Sequence, residues 1–166
     1  MKISSLTTGF ALLTSLLLSS CSLSATSSTD VSLVSNDEAA TVKKTVKIGD
    51  FNSIDVSRGI KVIFVQGPNN GIASIATTPS AEKYLRVEVK YNKLKVYYSN
   101  EIGTKRINGP TIIKVSSPQL NEVDLSSAAQ LKVDGNLVTK RDFFIELSSA
   151  SSFEVGSLSC LNFDVE

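Results

Sequence analysis

The sequence contains no histidine and only two cysteines, Cys21 and Cys160. Without histidine, a Ser-His-Asp triad and a Cys-His dyad are excluded, as are the usual zinc sites. Apart from Lys2, the chain carries 16 basic and 16 acidic residues. Because phosphate binding requires a basic excess, nucleic acid is not an expected partner. We therefore expect no catalytic residues, no metal site and no cofactor.

The first 20 residues form a candidate signal peptide. A single cation, Lys2, precedes an apolar stretch over residues 10–18, which is too short to cross a hydrocarbon core of ~30 Å. The tetrapeptide LSSC, residues 18–21, resembles the bacterial lipobox, and this resemblance implies cleavage between Ser20 and Cys21 and acylation of Cys21. Two or three acyl chains hold a protein on a membrane. The membrane is therefore an expected partner, and a plain secretory signal is the alternative.

The residues after Cys21 bear on location. Ser22 stands where an Asp would retain a lipoprotein in the inner membrane, so resemblance to sorted lipoproteins implies the outer membrane. Residues 23–29 contain no acidic cluster, which favours a periplasm-facing position over the cell surface. With Cys21 acylated, Cys160 has no disulfide partner within the chain, and its strand-like setting favours a buried, inert thiol.

Composition divides the remaining chain in two. Residues 21–44 are rich in Ser, Thr and Ala and lack periodicity, which predicts a flexible tether averaging roughly 25 to 30 Å end to end. Residues 45–166 contain short alternating runs separated by turn residues, which predicts an all-β domain. The one exception is Thr78-Pro79, which predicts a single short helix over residues 79–85.

A repeated phrase dominates the C-terminal half. LSSAAQLKV starts at residue 125 and LSSASSFEV starts 22 residues later, at 147, with the apolar positions conserved between the two copies. A unit of 22 residues cannot bury its apolar row alone, but parallel stacking of successive units makes a continuous core. The phrase therefore predicts a β-solenoid coil.

Small residues are expected where these coils turn, because neighbouring coils approach to ~4.8 Å and bulky side chains would collide. The predicted coil corners are Ser126, Ser127, Ala128, Ser148, Ser149 and Ala150. The final segment LNFDVE keeps the apolar parity of a further coil, and the sequence stops within it. We expect a C-terminally incomplete domain, with cover by another chain as the alternative.

Three segments carry a family resemblance: FNSIDVSRGIKVIFVQG (51–67), LRVEVKYNKLKVYY (85–98) and VDLSSAAQLKV (123–133). Together they resemble the putative auto-transporter adhesin, head GIN domain family of Gram-negative lipoproteins. The resemblance covers roughly residues 45–166. It implies a right-handed parallel β-helix with one short helix and an N-terminal hairpin region, and a role in adhesion. Family coils often have Gly where this chain has Ser127 and Ser149.

Carboxylates form one candidate ligand site. Asp124, Glu146 and either Asp164 or Glu166 are expected on one outward column, one per coil. Adjacent members would lie about one rung apart, near the ~5 Å that separates the carboxylates of retaining glycosidases, but without a general-acid environment. A solvated column softened by lysines is the alternative, and a Ca²⁺ site is a further one.

Tyrosines form a second candidate site. Tyr91, Tyr97 and Tyr98 would suit a sugar-stacking platform, although core or hairpin packing explains them equally well. Lys132 and Glu154 are predicted to form an ion pair across one rung, with a purely structural role.

Three functions remain open. The leading one is a non-catalytic, lipid-anchored envelope protein, adhesin-like or structural, with a glycan or protein as its ligand. The second is a polysaccharide-acting enzyme, which rests on analogy between β-helix folds alone. The third is a self-assembling envelope scaffold that associates through the open C-terminal coil.

Overall fold

The computed structural model describes residues 41–166. The expected signal peptide, Ser20, Cys21 and most of the expected tether lie outside this part of the chain. The described residues form 14 β-strands with one short α-helix and one 3₁₀ helix, so the all-β expectation is confirmed. Within them, no helix has both the length and the apolar character needed to span a bilayer.

The strands are β1 (Val42–Lys47), β2 (Ser53–Val56), β3 (Lys61–Gln66), β4 (Ile72–Thr77), β5 (Leu85–Lys90), β6 (Lys93–Tyr98), β7 (Ile112–Ser117), β8 (Glu122–Leu125), β9 (Gln130–Val133), β10 (Asn136–Val138), β11 (Phe143–Leu147), β12 (Ser152–Glu154), β13 (Ser157–Ser159) and β14 (Phe163–Val165). The helix α1 spans Pro79–Glu82 between β4 and β5, and the 3₁₀ helix spans Asn100–Ile102 between β6 and β7.

These strands build three sheets. The first sheet has the order β1-β4-β7-β3-β9-β12, the second has the order β14-β11-β8-β2-β6-β5, and the third pairs β10 with β13. Most neighbours run parallel, but β5 pairs antiparallel with β6, and β4 pairs antiparallel with both β1 and β7. The two large sheets are therefore mixed.

The two copies of the repeated phrase stack as predicted. Strands β8 and β11 run parallel with Leu125 opposite Leu147, and β9 and β12 run parallel with Leu131 opposite Phe153. The offset of 22 residues is therefore the register of the stack. Phe163 continues it by lying opposite Phe143, with the two ring centroids 6.3 Å apart.

Stacking order and chain order differ. Strands β2 and β3 lie between β6 and β7 on one side and β8 and β9 on the other. The first coil of the chain is thus the middle of the stack. The excursion through β4, α1 and β5 carries the chain past this coil before β6 pairs with β2, and the antiparallel strands β5 and β4 cover that side of the stack.

The core consists of the inward positions of the two large sheets. Phe64, Ile54 and Leu125 have no exposed surface, and Phe51 meets Phe64 edge-on at 6.4 Å between ring centroids. Burial decreases toward β14, where Phe163 is 54% exposed. Cys160 carries a free, partly buried thiol that packs against the core.

Two boundaries differ from the sequence-based expectation. Strand β1 begins at Val42 and pairs along its whole length with β4, so residues 42–44 belong to the domain and not to the tether. The helix ends at Glu82 instead of residue 85, because Leu85 is buried in the alternating pattern of β5. Both elements depend on pairing with distant strands, which local periodicity does not reveal.

The corners have an unusual backbone. Each places two consecutive residues in the left-handed region of φ, which costs a residue with a Cβ about 1 kcal/mol. The φ values are 61° and 68° at Arg58 and Gly59, 53° and 61° at Ser127 and Ala128, and 51° and 62° at Ser149 and Ala150. Backbone bonds join the stacked corners: Gly59 N donates to Ser127 O, and Ala128 N donates to Ser149 O, both at 2.8 Å.

Candidate functional site

The outer face of the second sheet carries a column of carboxylates. Asp55, Asp124 and Glu146 occupy the same register position on β2, β8 and β11. Glu166 lies beside Glu146, because its N–H donates to Ile145 O and its carbonyl accepts from Leu147 N. These four residues form what we call the acidic column. Asp164 lies opposite Phe144 instead, so Glu166 is the fourth member and Asp164 is not.

Asp55 was missed from the sequence. The signal was present in the short echo IDVS at residues 54–57, which matches VDLS at residues 123–126. The echo places Asp55 where the later copy has Asp124, and the parallel pairing of β2 with β8 puts the two side by side.

Charge compensation divides this face in two. At the β6 side, Lys95 Nζ lies 3.3 Å from Asp55 Oδ2 and Lys93 Nζ lies 2.7 Å from Glu122 Oε1. The hydrogen bond from Lys93 lowers the pKa of Glu122, with help from Ser53. At the β11 side, Glu146, Asp164 and Glu166 form no ion pair with any residue between 41 and 166.

Asp124 lies at the boundary between these two halves. Partial burial raises the pKa of its carboxyl group, and the neighbouring charges of Asp55 and Glu146 raise it further. A shallow depression of about 340 Å³ lies over this part of the column. Its position suits a ligand with hydroxyl or cationic groups, because carboxylates accept hydrogen bonds and attract positive charge. Between residues 41 and 166, no group of three or more acidic, His or Cys side chains is arranged to hold a metal ion.

A polar groove of about 510 Å³ lies on the same face, over β5, β6 and the β2 corner. Donors and acceptors alternate along it, and its side chains are held in place by one another. Tyr97 Oη donates to Glu88 Oε1 at 2.9 Å, and Lys90 forms an ion pair with the same carboxylate. The Lys90 bond is the main cause that lowers the pKa of Glu88, while the bond to Glu88 raises the pKa of Tyr97.

The three candidate tyrosines do not share one surface. Tyr91 is fully exposed in the two-residue turn between β5 and β6, with φ of 52°. Tyr97 is half-buried and lines the polar groove. Tyr98 is 4% exposed in the core, where its hydroxyl donates to Thr111 Oγ1 at 2.7 Å and burial raises its pKa. The alternative of core packing therefore describes Tyr98.

The corner residues lie at the rim of this face. Ser126 lines the polar groove together with Ser57 and Arg58. Ser148 N donates to Leu125 O at 2.9 Å, and Ser151 Oγ donates to the same carbonyl. Ser127, Ser149, Ala128 and Ala150 are exposed. The predicted ion pair between Lys132 and Glu154 is confirmed, on the outer face of the first sheet.

A family model described as "Putative auto-transporter adhesin, head GIN domain" matches residues 50–166. No curated protein sequence matches the chain.

Solved structures share the fold. A putative adhesin from Bacteroides fragilis NCTC 9343 has a TM-score of 0.66 at 18% identity, over 76% of this chain and 57% of that one. A putative adhesin from Parabacteroides merdae ATCC 43184 has a TM-score of 0.51 at 20% identity, over 74% and 52%. A putative lipid binding protein from Parabacteroides distasonis ATCC 8503 has a TM-score of 0.54 at 14% identity, over 78% and 61%. The chain thus spans less than two thirds of each of these structures.

Proposed function

Because the chain belongs to the head GIN domain family of putative auto-transporter adhesins, we propose that it is a non-catalytic, lipid-anchored envelope protein that binds a glycan through the outer face of its second sheet. The observation that carries this proposal is the polar groove with Tyr97 at its side. The groove is continuous with a surface of aligned carboxylates on parallel strands. Such a surface offers many hydrogen-bonding groups at regular spacing, which is what a polyhydroxylated chain requires.

A right-handed parallel β-helix is the architecture that we propose for the stack. Its support is the set of parallel pairings in register from β6 through β2, β8 and β11 to β14. A matching set runs along the first sheet from β7 to β12. In such a stack, residues at one register position form straight outward columns about 4.8 Å apart per rung. The acidic column has this form.

Tyr97 combines the two features that sugar recognition uses. Its ring offers an apolar face, and Glu88 and Lys90 offer charged hydrogen-bonding groups beside it. Aromatic rings with a polar rim are typical of sites that hold a ligand with one apolar and one hydroxylated face. The mutual bonds of these side chains fix their positions before a ligand arrives, which lowers the entropy cost of binding.

Binding to an immobilised glycan panel tests this proposal. We expect the full chain to bind a subset of glycans, and Tyr97→Ala to weaken that binding about tenfold or more, as loss of an aromatic anchor does. Tyr91→Ala is the matched control, because this exposed turn residue lies outside the groove, and it should leave affinity unchanged. Equal losses in both variants, or no glycan bound, would refute the groove as the site. Release of reducing ends that disappears in Asp124→Asn with Glu146→Gln would identify an enzyme instead.

The lipid anchor is the second part of the proposal, with the outer membrane as the location. Its support is the lipobox-like LSSC and the Ser at position 22. Expression of the full chain in a Gram-negative host with labelled palmitate should label the protein through Cys21. The label should be lost in Cys21→Ser and retained in the control Cys160→Ser. Palmitate on both variants would disprove the anchor.

A further inference from the structure

The outer face of the first sheet has the opposite charge to that of the second. In the four neighbouring strands β1, β4, β7 and β3, outward positions alternate with buried ones such as Ile75, Ile113 and Val62. Every charged side chain at these outward positions is a lysine. We call this surface the lysine face, and its four lysines are Lys43, Lys47, Lys61 and Lys114.

The lysine face is largely uncompensated. None of its four lysines forms an ion pair within the part of the chain that the structure describes. Acidic side chains are confined to its far edge, where Glu154 on β12 pairs with Lys132 and Asp134 follows β9. A net charge near zero for the whole chain therefore hides a separation of basic and acidic surfaces.

Aliphatic side chains lie between the lysines. Val65 is 40% exposed and Ile72 is 38% exposed on this face. A shallow depression of about 410 Å³ opens between Lys43 and Lys114, with Ala76 and Ile112 among the residues that line it. Lysines interspersed with partly exposed aliphatic side chains are typical of surfaces that lie at the headgroup level of a bilayer.

The chain also enters the domain at this face. Strand β1 is the edge strand of the first sheet and carries Lys43 and Lys47. About 20 residues separate it from Cys21, and a flexible segment of that length averages roughly 22 to 27 Å end to end. A domain held by acyl chains on Cys21 would therefore stay within about its own diameter of the bilayer. This step, and only this step, rests on the proposed lipid anchor.

We propose that the lysine face docks on anionic phospholipid headgroups of the membrane that holds the chain. Charge complementarity identifies the occupant, and the short connection to Cys21 supplies a high local concentration of headgroups. Docked in this way, the domain lies with its first sheet on the bilayer. The acidic column and the polar groove are then on the sheet that faces away from it.

Vesicle cosedimentation tests the proposal. The protein is the full chain carrying Cys21→Ser, mixed at low salt with vesicles of phosphatidylcholine alone or of phosphatidylcholine with phosphatidylglycerol. The apolar stretch over residues 10–18 is common to all variants, so the difference between the two vesicle types isolates the electrostatic part. We expect a preference for the anionic vesicles that weakens as salt is raised.

Variants locate the surface. Removing a lysine near an anionic surface weakens binding about fivefold, so Lys43→Gln with Lys114→Gln should reduce the affinity for anionic vesicles about 25-fold. Lys140→Gln with Arg141→Gln is the matched control, because it removes two charges from the loop between β10 and β11. The control should change the affinity less than twofold. Thermal unfolding should be the same for both double variants, which excludes misfolding as the cause.

Three results would overturn the proposal. The first is no preference for anionic vesicles, and the second is an equal loss in the control variant. The third is retention on dextran sulfate or a concentration-dependent dimer, either one without vesicle binding, which would assign the lysine face to an anionic polysaccharide or to the acidic face of a second copy. Because the test uses Cys21→Ser, its failure leaves the palmitate experiment and the glycan assay unaffected.

Discussion

The two copies of the repeated phrase have the same backbone but different surroundings. Ser127 and Ala128 have φ values within 2° of those of Ser149 and Ala150. Leu125 of the first copy is completely buried, whereas Leu147 of the second is only partly buried. Strands β8 and β9 have partners on both sides, while β11 has only the short β14 beyond it and β12 is an edge strand. Sequence therefore sets the shape of a coil, and neighbouring coils set its stability.

Alanine at the equivalent leucines should break the equivalence most strongly. Leu125→Ala empties a closed site between two coils and should lower the free energy of unfolding by about 3 kcal/mol. Leu147→Ala removes a half-exposed side chain and should lower it by about 1 kcal/mol. Urea unfolding of the full chain measures both. Equal costs would mean that the two copies are packed alike, contrary to the burial described above.

Glycine at the corners should show where the copies are alike. Ser127→Gly and Ser149→Gly each relieve a residue held at positive φ, and each should raise the free energy of unfolding by about 0.5 kcal/mol. The reverse change, Gly59→Ala, should lower it by about 1 kcal/mol, since an added Cβ meets no atom within 4 Å and only φ is strained. Gly67→Ala is the matched control, with similar open space and no positive φ. A larger effect in one copy would show that corner strain depends on stacking.

The acidic column should give the smallest difference. Because the pKa of Asp124 is raised, its folded form binds a proton more tightly, and its contribution to stability is lost as pH rises above about 4 through that raised pKa. Asp124→Asn should therefore raise stability at neutral pH by a few tenths of about 1 kcal/mol after solvent screening. Thermal unfolding between pH 3 and pH 7, a range of roughly four units around the carboxyl values, measures it.

Glu122→Gln is the control of opposite sign on the same strand. The pKa of Glu122 is lowered by Lys93, so its ionised form stabilises the fold above the ordinary carboxyl pKa and this stabilisation is lost as pH falls. The variant should be less stable than the native chain at neutral pH, and the deficit should disappear in acid. The same sign for both variants would show that Lys93 and the neighbouring acids do not control the two groups.

The repeat made part of this fold readable from sequence. Leu125 and Leu147 occur at one position of a 22-residue period, so their parallel register followed from the phrase itself. Tyr98 shares the parity of Leu94 and Val96, which correctly favoured the core. The place of β2 and β3 inside the stack was not predicted, because several coils have compatible apolar rows. Their choice of neighbour is decided by long-range packing and by the length of the intervening chain.

The candidate surfaces were readable to a smaller extent. Asp124 and Glu146 were assigned to one column correctly, but the partners that neutralise part of it, Lys93 and Lys95, come from a strand far away in sequence. The lysine face had no signal in net charge. It became visible only when four strands from separate parts of the chain were placed side by side.

The central position of β2 and β3 has a consequence for the order of folding. Ser53 pairs with Lys93 on one side and with Glu122 on the other, so the earliest strand pair of the stack cannot be completed until the chain beyond β8 has emerged. Closing loops of this length before any reward is gained makes folding slow and non-local. During export, the N-terminal strands must therefore wait with open edges, and they depend on the cell's chaperones until the later coils arrive.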